Sequence, residues 1–410
     1  MSTERLNIAM LSVHSCPLGR LGTRDTGGMS VYVRELAAEL GRRGHSVDVY
    51  TRAHDRSDDQ IVQLGENARV IHLKVGEIEP IHKLVLYSRL DDVACAVESS
   101  RKRQDVRYDL IHSHYWLSSW VGRQLQVWWD VPHVTMFHTL GAVKNAIGVG
   151  EDEPDLRIVT EKDLVKGCDR VVAATEAEKS ALISHYDGAP EAITVVPCGV
   201  NLDSFRIAEK ATARQRLGFN GGNIILYVGR IEPLKGLDRL LEAVSLVDSS
   251  EGLQLVVVGG DEESQSEVES LKTLSRSLEI QDSVTFAGSV RHEDLPHYYS
   301  AADVCVVPSH YESFGMVALE SLACGTPVVS TRVGGIDGII LPGLSGYVAK
   351  DNSSHGLADG ISAILSGSDA GLGHAEAIRA SVAGLGWSNV ADAIIDEYRE
   401  LLAGRCARVG

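Results

Sequence analysis

The sequence predicts an α/β protein built from two Rossmann-like parallel-sheet domains that face each other. Three observations lead there. At 410 residues the chain exceeds one ordinary core, so two domains of about 200 residues each are expected. Short apolar runs alternate with helix-period runs along both halves, the βαβ rhythm of a parallel sheet covered on both faces. The rhythm breaks at the turn-rich Pro197-Cys-Gly-Val-Asn201 and then restarts, which marks a hinge.

The first strand is Leu6 to Ser12, which reads as a buried strand around the apolar Ile8–Leu11. A helix follows from Gly28 to Arg43, with Val33, Leu36, Ala37 and Leu40 on one stripe. Further strands fall at Val47–Tyr50, Val70–Leu73, Leu110–Ser113, Val134–Phe137, Arg170–Ala174 and Ile193–Val196. Helices fit between them at about 84–103, 118–129, 155–167 and 176–184. In the second half the strands are Asn223–Val228, Leu253–Val258, Ser283–Phe286, Val304–Val307 and Pro327–Ser330. Helices fit at about 236–248, 263–278, 292–301 and 315–324, with a last one from Ser388 to Leu402. Domains are therefore expected over 1–198 and 199–387.

Composition excludes several classes. Hydrophobic content of 44% and charged content of 23% suit a soluble globular protein, and no apolar run approaches the roughly 20 residues of a membrane span. The start of the chain leads straight into a strand without a signal-peptide core, and the seven cysteines are scattered without a Cys-x-x-Cys pair. A cytoplasmic protein with reduced thiols is expected. A net charge of −17 disfavours a nucleic-acid partner, and it means that any phosphorylated substrate needs a local gathering of Arg and Lys.

Open α/β sheets bind ligands at the carboxyl ends of their strands, and the candidate residues lie at such ends. Glu312-Ser-Phe-Gly-Met-Val-Ala-Leu-Glu320 sets a loop carboxylate after the 304–307 strand and a second about two turns into the next helix. The loop Glu can accept from sugar hydroxyls, the helix Glu from a ribose, and the N–H groups of Ser313, Phe314 and Gly315 suit an anion. Arg230 and Lys235 sit on a turn held by Pro233 and Gly236 and can clamp a diphosphate and stabilise it as a leaving group. In the first half, Asp25-Thr-Gly-Gly-Met29 closes a long loop from His14, and its paired glycines let backbone approach a phosphate. His138 ends a strand toward the cleft, beside the hydroxyls of Tyr115 and Thr139. Lys83, Lys144 and Arg157 are the nearest cations for a second substrate's phosphate. His112 and His114 point the same way on one strand; a metal pair and buried structural histidines both fit, and no third ligand is evident. The Gly-x-Gly-x-x-Gly of a nicotinamide enzyme and the Gly-x-x-x-x-Gly-Lys-Ser/Thr of a P-loop are missing, and no nucleophile with a paired base emerges.

Taken together, Glu312-x7-Glu320 and Gly229-Arg-Ile-Glu-Pro-Leu-Lys235 resemble the retaining glycosyltransferases of family 4, which have the two-domain GT-B fold. The resemblance covers essentially the whole chain. It implies a C-terminal domain for the nucleotide-sugar, with Glu312 on the donor sugar, Glu320 on the ribose, Arg230 and Lys235 on the diphosphate, Val290 near the base, and Gly27 and Gly28 beside the phosphates. It also implies that His138 touches the transferred sugar and that the segment 388–410 packs back on the N-terminal, acceptor-binding domain.

Within the family, the loops at 25–33, 112–118 and 137–145 are similar to members that move N-acetylglucosamine from UDP to an inositol phosphate. That places acceptor contacts at His14, Asp25, Thr26, Gly28, Met29, Ser30, Lys83, Tyr115, Thr139, Lys144 and Arg157. Ser30 departs from the Asn usual in that branch. Enzymes that glucosylate fructose 6-phosphate share Asp-Thr-Gly-Gly but follow it with Gln where this chain has Met29. The expected reaction is retaining transfer of a hexosyl unit, N-acetylglucosamine favoured, from a UDP-sugar to a small phosphorylated polyol. Glucosyl transfer to fructose 6-phosphate and, in another class, UDP-sugar epimerisation stand as alternatives. No obligatory cofactor is expected, with Mg2+ at most accessory; a homodimer is left open.

Overall fold

The computed structural model describes residues 5–19, 26–76, 81–219, 221–248, 252–261, 264–367 and 373–409. Two sheets form. The first contains β1 (Asn7–Leu11), β2 (Ser46–Arg52), β3 (Ile61–Gly65), β4 (Ala68–Leu73), β5 (Leu110–His114), β6 (His133–Met136), β7 (Arg170–Ala173) and β8 (Ile193–Val195), in the order β3-β4-β2-β1-β5-β6-β7-β8. All pairs are parallel except β3 with β4. The second contains β9 (Asn223–Val228), β10 (Leu253–Val258), β11 (Val284–Gly288), β12 (Val304–Val307), β13 (Val328–Ser330) and β14 (Gly346–Val348), ordered β11-β10-β9-β12-β13-β14 and wholly parallel.

The strand order reverses between β1 and β5 in the first sheet and between β9 and β12 in the second. At such a switch point the flanking connections leave in opposite directions and open a crevice. Each crevice receives loops that carry chemistry: His14 and Tyr115 in the first, Arg230 and Glu312 in the second.

Most expected elements are present, and the differences have physical causes. The 84–103 helix is two helices, Lys83–Tyr87 and Leu90–Arg103, broken at Ser88–Arg89. β3 alternates exposed and half-buried residues at a sheet edge, which leaves little apolar signal. The helix Lys210–Leu217 buries only Ala213, so it has no apolar stripe to read. β14 has three residues, too short for a periodicity.

The two domains share one apolar core. Tyr32, Val172 and Val196 of the first pack in the same cluster as Phe314, Ile336 and Ile340 of the second. The hinge expected at Pro197–Asn201 runs through it, with Cys198 and Val200 buried and the Val200 N–H donating to Leu385 O. A Cβ on Gly199 would come within 2.8 Å of the Trp387 ring, so the chain passes there without a side chain.

The last helix, Trp387–Val409, lies on the first domain. Arg170 pairs with Glu397 and Glu400, each at 3.0 Å, and Arg43 pairs with Asp392. The Tyr398 hydroxyl reaches the floor of β5 and meets His112 Nδ1 at 2.6 Å. No described helix is long and apolar enough to cross a membrane.

His112 and His133 are wholly buried, and burial holds each near a pKa of about 3. In the unfolded chain both titrate near 6.5. Between those values the unfolded state binds protons that the native state refuses, so stability present above about pH 6.5 is lost as pH falls, by about 1.4 kcal/mol per unit for each ring. Urea unfolding at pH 5 is therefore expected at a clearly lower midpoint than at pH 7, and the Cε1–H resonances of both rings should stay fixed from pH 5 to 8.

Candidate functional site: a cleft between two switch points

Beyond β12 the loop carrying Glu312 is held from two sides. Lys235 Nζ lies 2.6 Å from Glu312 Oε1, and Ser309 Oγ donates to the same oxygen at 2.8 Å. Gly236, at φ +63°, packs so closely that a Cβ would sit 2.3 Å from Pro308 O; the turn bearing Lys235 is pressed onto the end of β12. Arg230 follows β9 and pairs with Glu232 at 2.9 Å. Both cations thus carry a carboxylate partner already. A guanidinium offers five N–H donors and an ammonium three, and both groups suit a diphosphate.

Glu320 is the fifth residue of the helix Met316–Ala323, just over one turn in rather than two. It is buried, and both oxygens are engaged: Oε1 with His292 Nε2 at 2.8 Å and Oε2 with the Tyr299 hydroxyl at 2.9 Å. Gly315 caps this helix at φ +100°. Of the three residues expected to offer N–H groups, Phe314 buries its ring in the shared core, and the Ser313 hydroxyl crosses to the first domain, donating to His138 O. Val290 packs against that core too.

The first domain supplies the facing wall. Tyr115 and His138, at the ends of adjacent strands β5 and β6, both have positive φ, +77° and +62°. Bulky residues adopt this only where surroundings enforce it, and such strain gathers at functional sites. The Tyr115 ring packs on His14, with centroids 4.3 Å apart. Arg157 lies 4.8 Å and Lys83 5.6 Å from its centroid, two cations over one aromatic ring.

Arg157 is 1% exposed and directed by its neighbours. It donates to Glu161 (2.6 Å), to Glu153 (2.9 Å) and to both oxygens of Thr139 (2.7 and 2.9 Å). Burial works against its charge, but Tyr115, Glu161 and Glu153 outweigh that and raise its pKa. Lys144 joins the same cluster through an ion pair with Glu153. Sequence reasoning misses both glutamates, although their spacing of four residues on either side of Arg157 is visible in the helix Asp155–Gly167 and its entry.

His138 Nε2 meets His114 Nδ1 at 3.0 Å. Burial holds His138 near a pKa of about 3 and lowers His14 and His114 strongly, so all three rings are neutral at pH 7. His112 Nδ1 meets the Tyr398 hydroxyl and His114 Nδ1 meets His138, while the Nε2 of each is buried without a hydrogen-bond partner; among the described residues no group of three or more His, Cys, Asp or Glu could hold a metal ion.

Gly27 and Gly28 bring the first domain against the second. A Cβ on Gly27 would lie 3.9 Å from Arg230 Nε, and one on Gly28 would lie 3.4 Å from Met316 Sδ. Met29 packs between the first domain's core and the shared one. Ser30 is buried and turned inward, its hydroxyl 2.6 Å from that of Ser15. Asp25 lies outside the described residues. A cleft of about 1260 Å³ opens beside these groups, with His14, Thr26 and Lys83 on one wall and Ile231, Gly260 and Ser289 on the other. It runs past the cluster at Arg230, Lys235 and Glu312 without including it.

Two family models match, Glycosyltransferase Family 4 over residues 26–204 and Glycosyl transferases group 1 over 209–380. A D-inositol 3-phosphate glycosyltransferase of Saccharomonospora viridis is 40% identical over 97% of this chain and 94% of the relative. One of Acidothermus cellulolyticus is 41% identical over 97% and 91%. The chain belongs to family 4 of the glycosyltransferases. Its fold is GT-B. A sucrose-phosphate synthase structure from Thermosynechococcus elongatus superposes with a TM-score of 0.90 at 33% identity, covering 98% of this chain and all of that one. HepE of Anabaena, solved with UDP and glucose, superposes at 0.78 with 19% identity over 97% of this chain and all of that one, which supports the fold alone.

In this glycosyltransferase Gly334, at φ +55°, backs the Glu312 loop: a Cβ there would fall 1.9 Å from Glu312 O. Gly334→Ala is expected to lower stability in thermal unfolding by about 1–3 kcal/mol through backbone strain. Gly338→Ala, four residues on and with nothing within 4 Å of its Cβ position, should melt close to wild type.

Proposed function

We propose that this glycosyltransferase moves N-acetylglucosamine from a UDP donor to a hydroxyl of an inositol phosphate, with retention at the anomeric carbon. The observation that carries the reading is the pairing of two unlike sites across one gap. On one side stand a carboxylate pair and two cations; on the other, an arginine and a lysine around one tyrosine ring. The full-length similarity to D-inositol 3-phosphate glycosyltransferases supports the choice of acceptor.

Arg230 and Lys235 would hold the donor diphosphate, Glu312 the hexose hydroxyls and Glu320 the ribose, with the backbone at Val290 beside the base. Gly27 and Gly28 let the first domain approach the phosphates. Lys83, Tyr115, Thr139 and Arg157 would surround the acceptor phosphate, with Lys144 acting through Glu153. No side chain in this set is an activated nucleophile. Attack of the acceptor hydroxyl from the leaving-group face, its proton passing to the departing phosphate, needs none. Neutral His138 would position the transferred sugar by a hydrogen bond rather than by charge. Approach of the two domains about Pro197–Asn201 would exclude water and limit hydrolysis.

Glucosyl transfer to fructose 6-phosphate is the second reading, favoured by the close superposition on sucrose-phosphate synthase and by Ser30, whose inward hydroxyl leaves that wall without the Asn usual for inositol. One assay separates them. UDP release is followed for UDP-N-acetylglucosamine and UDP-glucose, each with inositol phosphate and with fructose 6-phosphate. The first reading expects turnover for UDP-N-acetylglucosamine with inositol phosphate; turnover only for UDP-glucose with fructose 6-phosphate would replace it. In the productive pair, Arg230→Ala should cost about 2–4 kcal/mol in kcat/KM, as loss of a preorganised charge donor does. Unaltered kcat/KM would remove the clamp assignment.

A further inference from the structure

A chain of hydrogen bonds runs from the hinge to the helix carboxylate and crosses between the domains. Asn201 Nδ2 donates to Glu35 Oε2 at 3.1 Å. Glu35 Oε1 accepts from Arg34 at 3.2 and 3.3 Å. Arg34 lies 3.2 Å from Nδ1 of His292, whose Nε2 lies 2.8 Å from Glu320 Oε1. Arg34 and Glu35 belong to the helix Gly28–Arg42 of the first domain; His292 and Glu320 belong to the second. Of these four, the sequence points to Glu320 alone.

The geometry determines a tautomer. A guanidinium has donors and no acceptor, so the contact with Arg34 requires a lone pair on His292 Nδ1. The ring proton then sits on Nε2 and donates to Glu320. The Phe205 ring, 5.0 Å away between centroids, closes another side of the imidazole. Glu320 is thus oriented by two donors, His292 and Tyr299, and the first of these is set by a residue of the opposite domain.

We propose that Arg34 and His292 are positioning residues that couple nucleotide binding to the approach of the two domains. This rests on the reading of Glu320 as the ribose ligand. The helix that carries Arg34 begins at the glycine pair lying against Arg230 and Met316, so its approach delivers glycines to the diphosphate and a donor to His292 together. With the helix withdrawn, nothing from the first domain fixes the His292 tautomer, and Glu320 keeps the Tyr299 hydroxyl as its one oriented donor. Ribose held by Glu320 draws the helix in by the same free energy, since such coupling is reciprocal.

Calorimetric titration with UDP tests this on the full chain. Arg34→Met, which keeps the aliphatic stem and contacts no nucleotide, should raise the UDP Kd about tenfold, within the span of coupled sites. His292→Phe keeps a ring against Phe205 without donor or acceptor and should do the same. The double variant should bind no worse than either single one, because both break the same chain. His292→Gln offers one donor and one acceptor and should restore binding to within about threefold of wild type, inside the scatter expected of an intact chain. Wild-type binding with an unchanged Kd in Arg34→Met, or additive losses in the double variant, would overturn the coupling alone. Wild-type protein that binds no UDP would overturn the nucleotide reading itself. Circular dichroism of each variant identifies misfolding, and Arg34→Met, altered at a partly exposed side chain, keeps the test decisive if His292→Phe does not fold.

Discussion

The site depends on one constraint: the carboxyl ends of two parallel sheets are pressed toward each other over a common apolar core. Tyr32, Trp387, Phe205 and Phe314 belong to that core, and they come from both domains and from the last helix. Burying such rings makes the association of the domains a hydrophobic matter, with no direction of its own. Direction comes from polar contacts at the rim, such as the Ser313 hydroxyl on His138 O and Arg34 on His292. Apolar area holds the halves together, and a few hydrogen bonds decide their register.

Charge is organised in the same way. A chain with a net charge of −17 repels phosphates at long range. Its site cations do not stand as an unshielded positive patch. Lys235 is matched by Glu312, Arg230 by Glu232, and Arg157 by Glu153 and Glu161. Pairing holds each cation in place before any ligand arrives. In the proposed reading an anion would join these pairs, so the clamp would be preorganised without a large desolvation cost at binding. Arg157 is different. All three of its guanidinium nitrogens are engaged within the protein, so in the proposed reading its contribution to an incoming phosphate is mainly its field.

Much of this is legible in the chain. Strand runs such as Val304–Val307 are continuously apolar because both faces are buried, and the spacing of such runs is enough to put Arg230 and Glu312 at strand ends. The edge strand Ile61–Gly65 and the polar helix Lys210–Leu217 are not legible, since neither buries a stripe. At the site, the residues that touch a ligand in the proposed reading are recognisable by type and loop position. Those that orient them are not. His292, Tyr299, Ser309 and Arg34 act across 3 to 258 positions of sequence, and spacing carries no signal for partners that only tertiary packing brings together.

That division bears on why the acceptor is harder to read than the donor. The donor cluster is short in sequence: Arg230 to Lys235 on one turn, Glu312 to Glu320 on one loop and helix. Its geometry follows from local backbone, including Gly236 and Gly334 packed against carbonyl oxygens. In the proposed reading the acceptor wall would collect His14, Ser30, Lys83, Tyr115, Thr139 and Arg157 from six separate segments, so its shape would be a property of the whole first domain. Ser30 illustrates the consequence. Its hydroxyl could face a polyol, yet a bond to Ser15, itself accepting at its carbonyl from Ser12, turns it into the protein. A single substitution at such a position changes which hydroxyls the wall can satisfy while leaving the phosphate cations untouched. Members of one fold can therefore keep a phosphorylated acceptor and exchange its ring, which is the difference between inositol phosphate and fructose 6-phosphate.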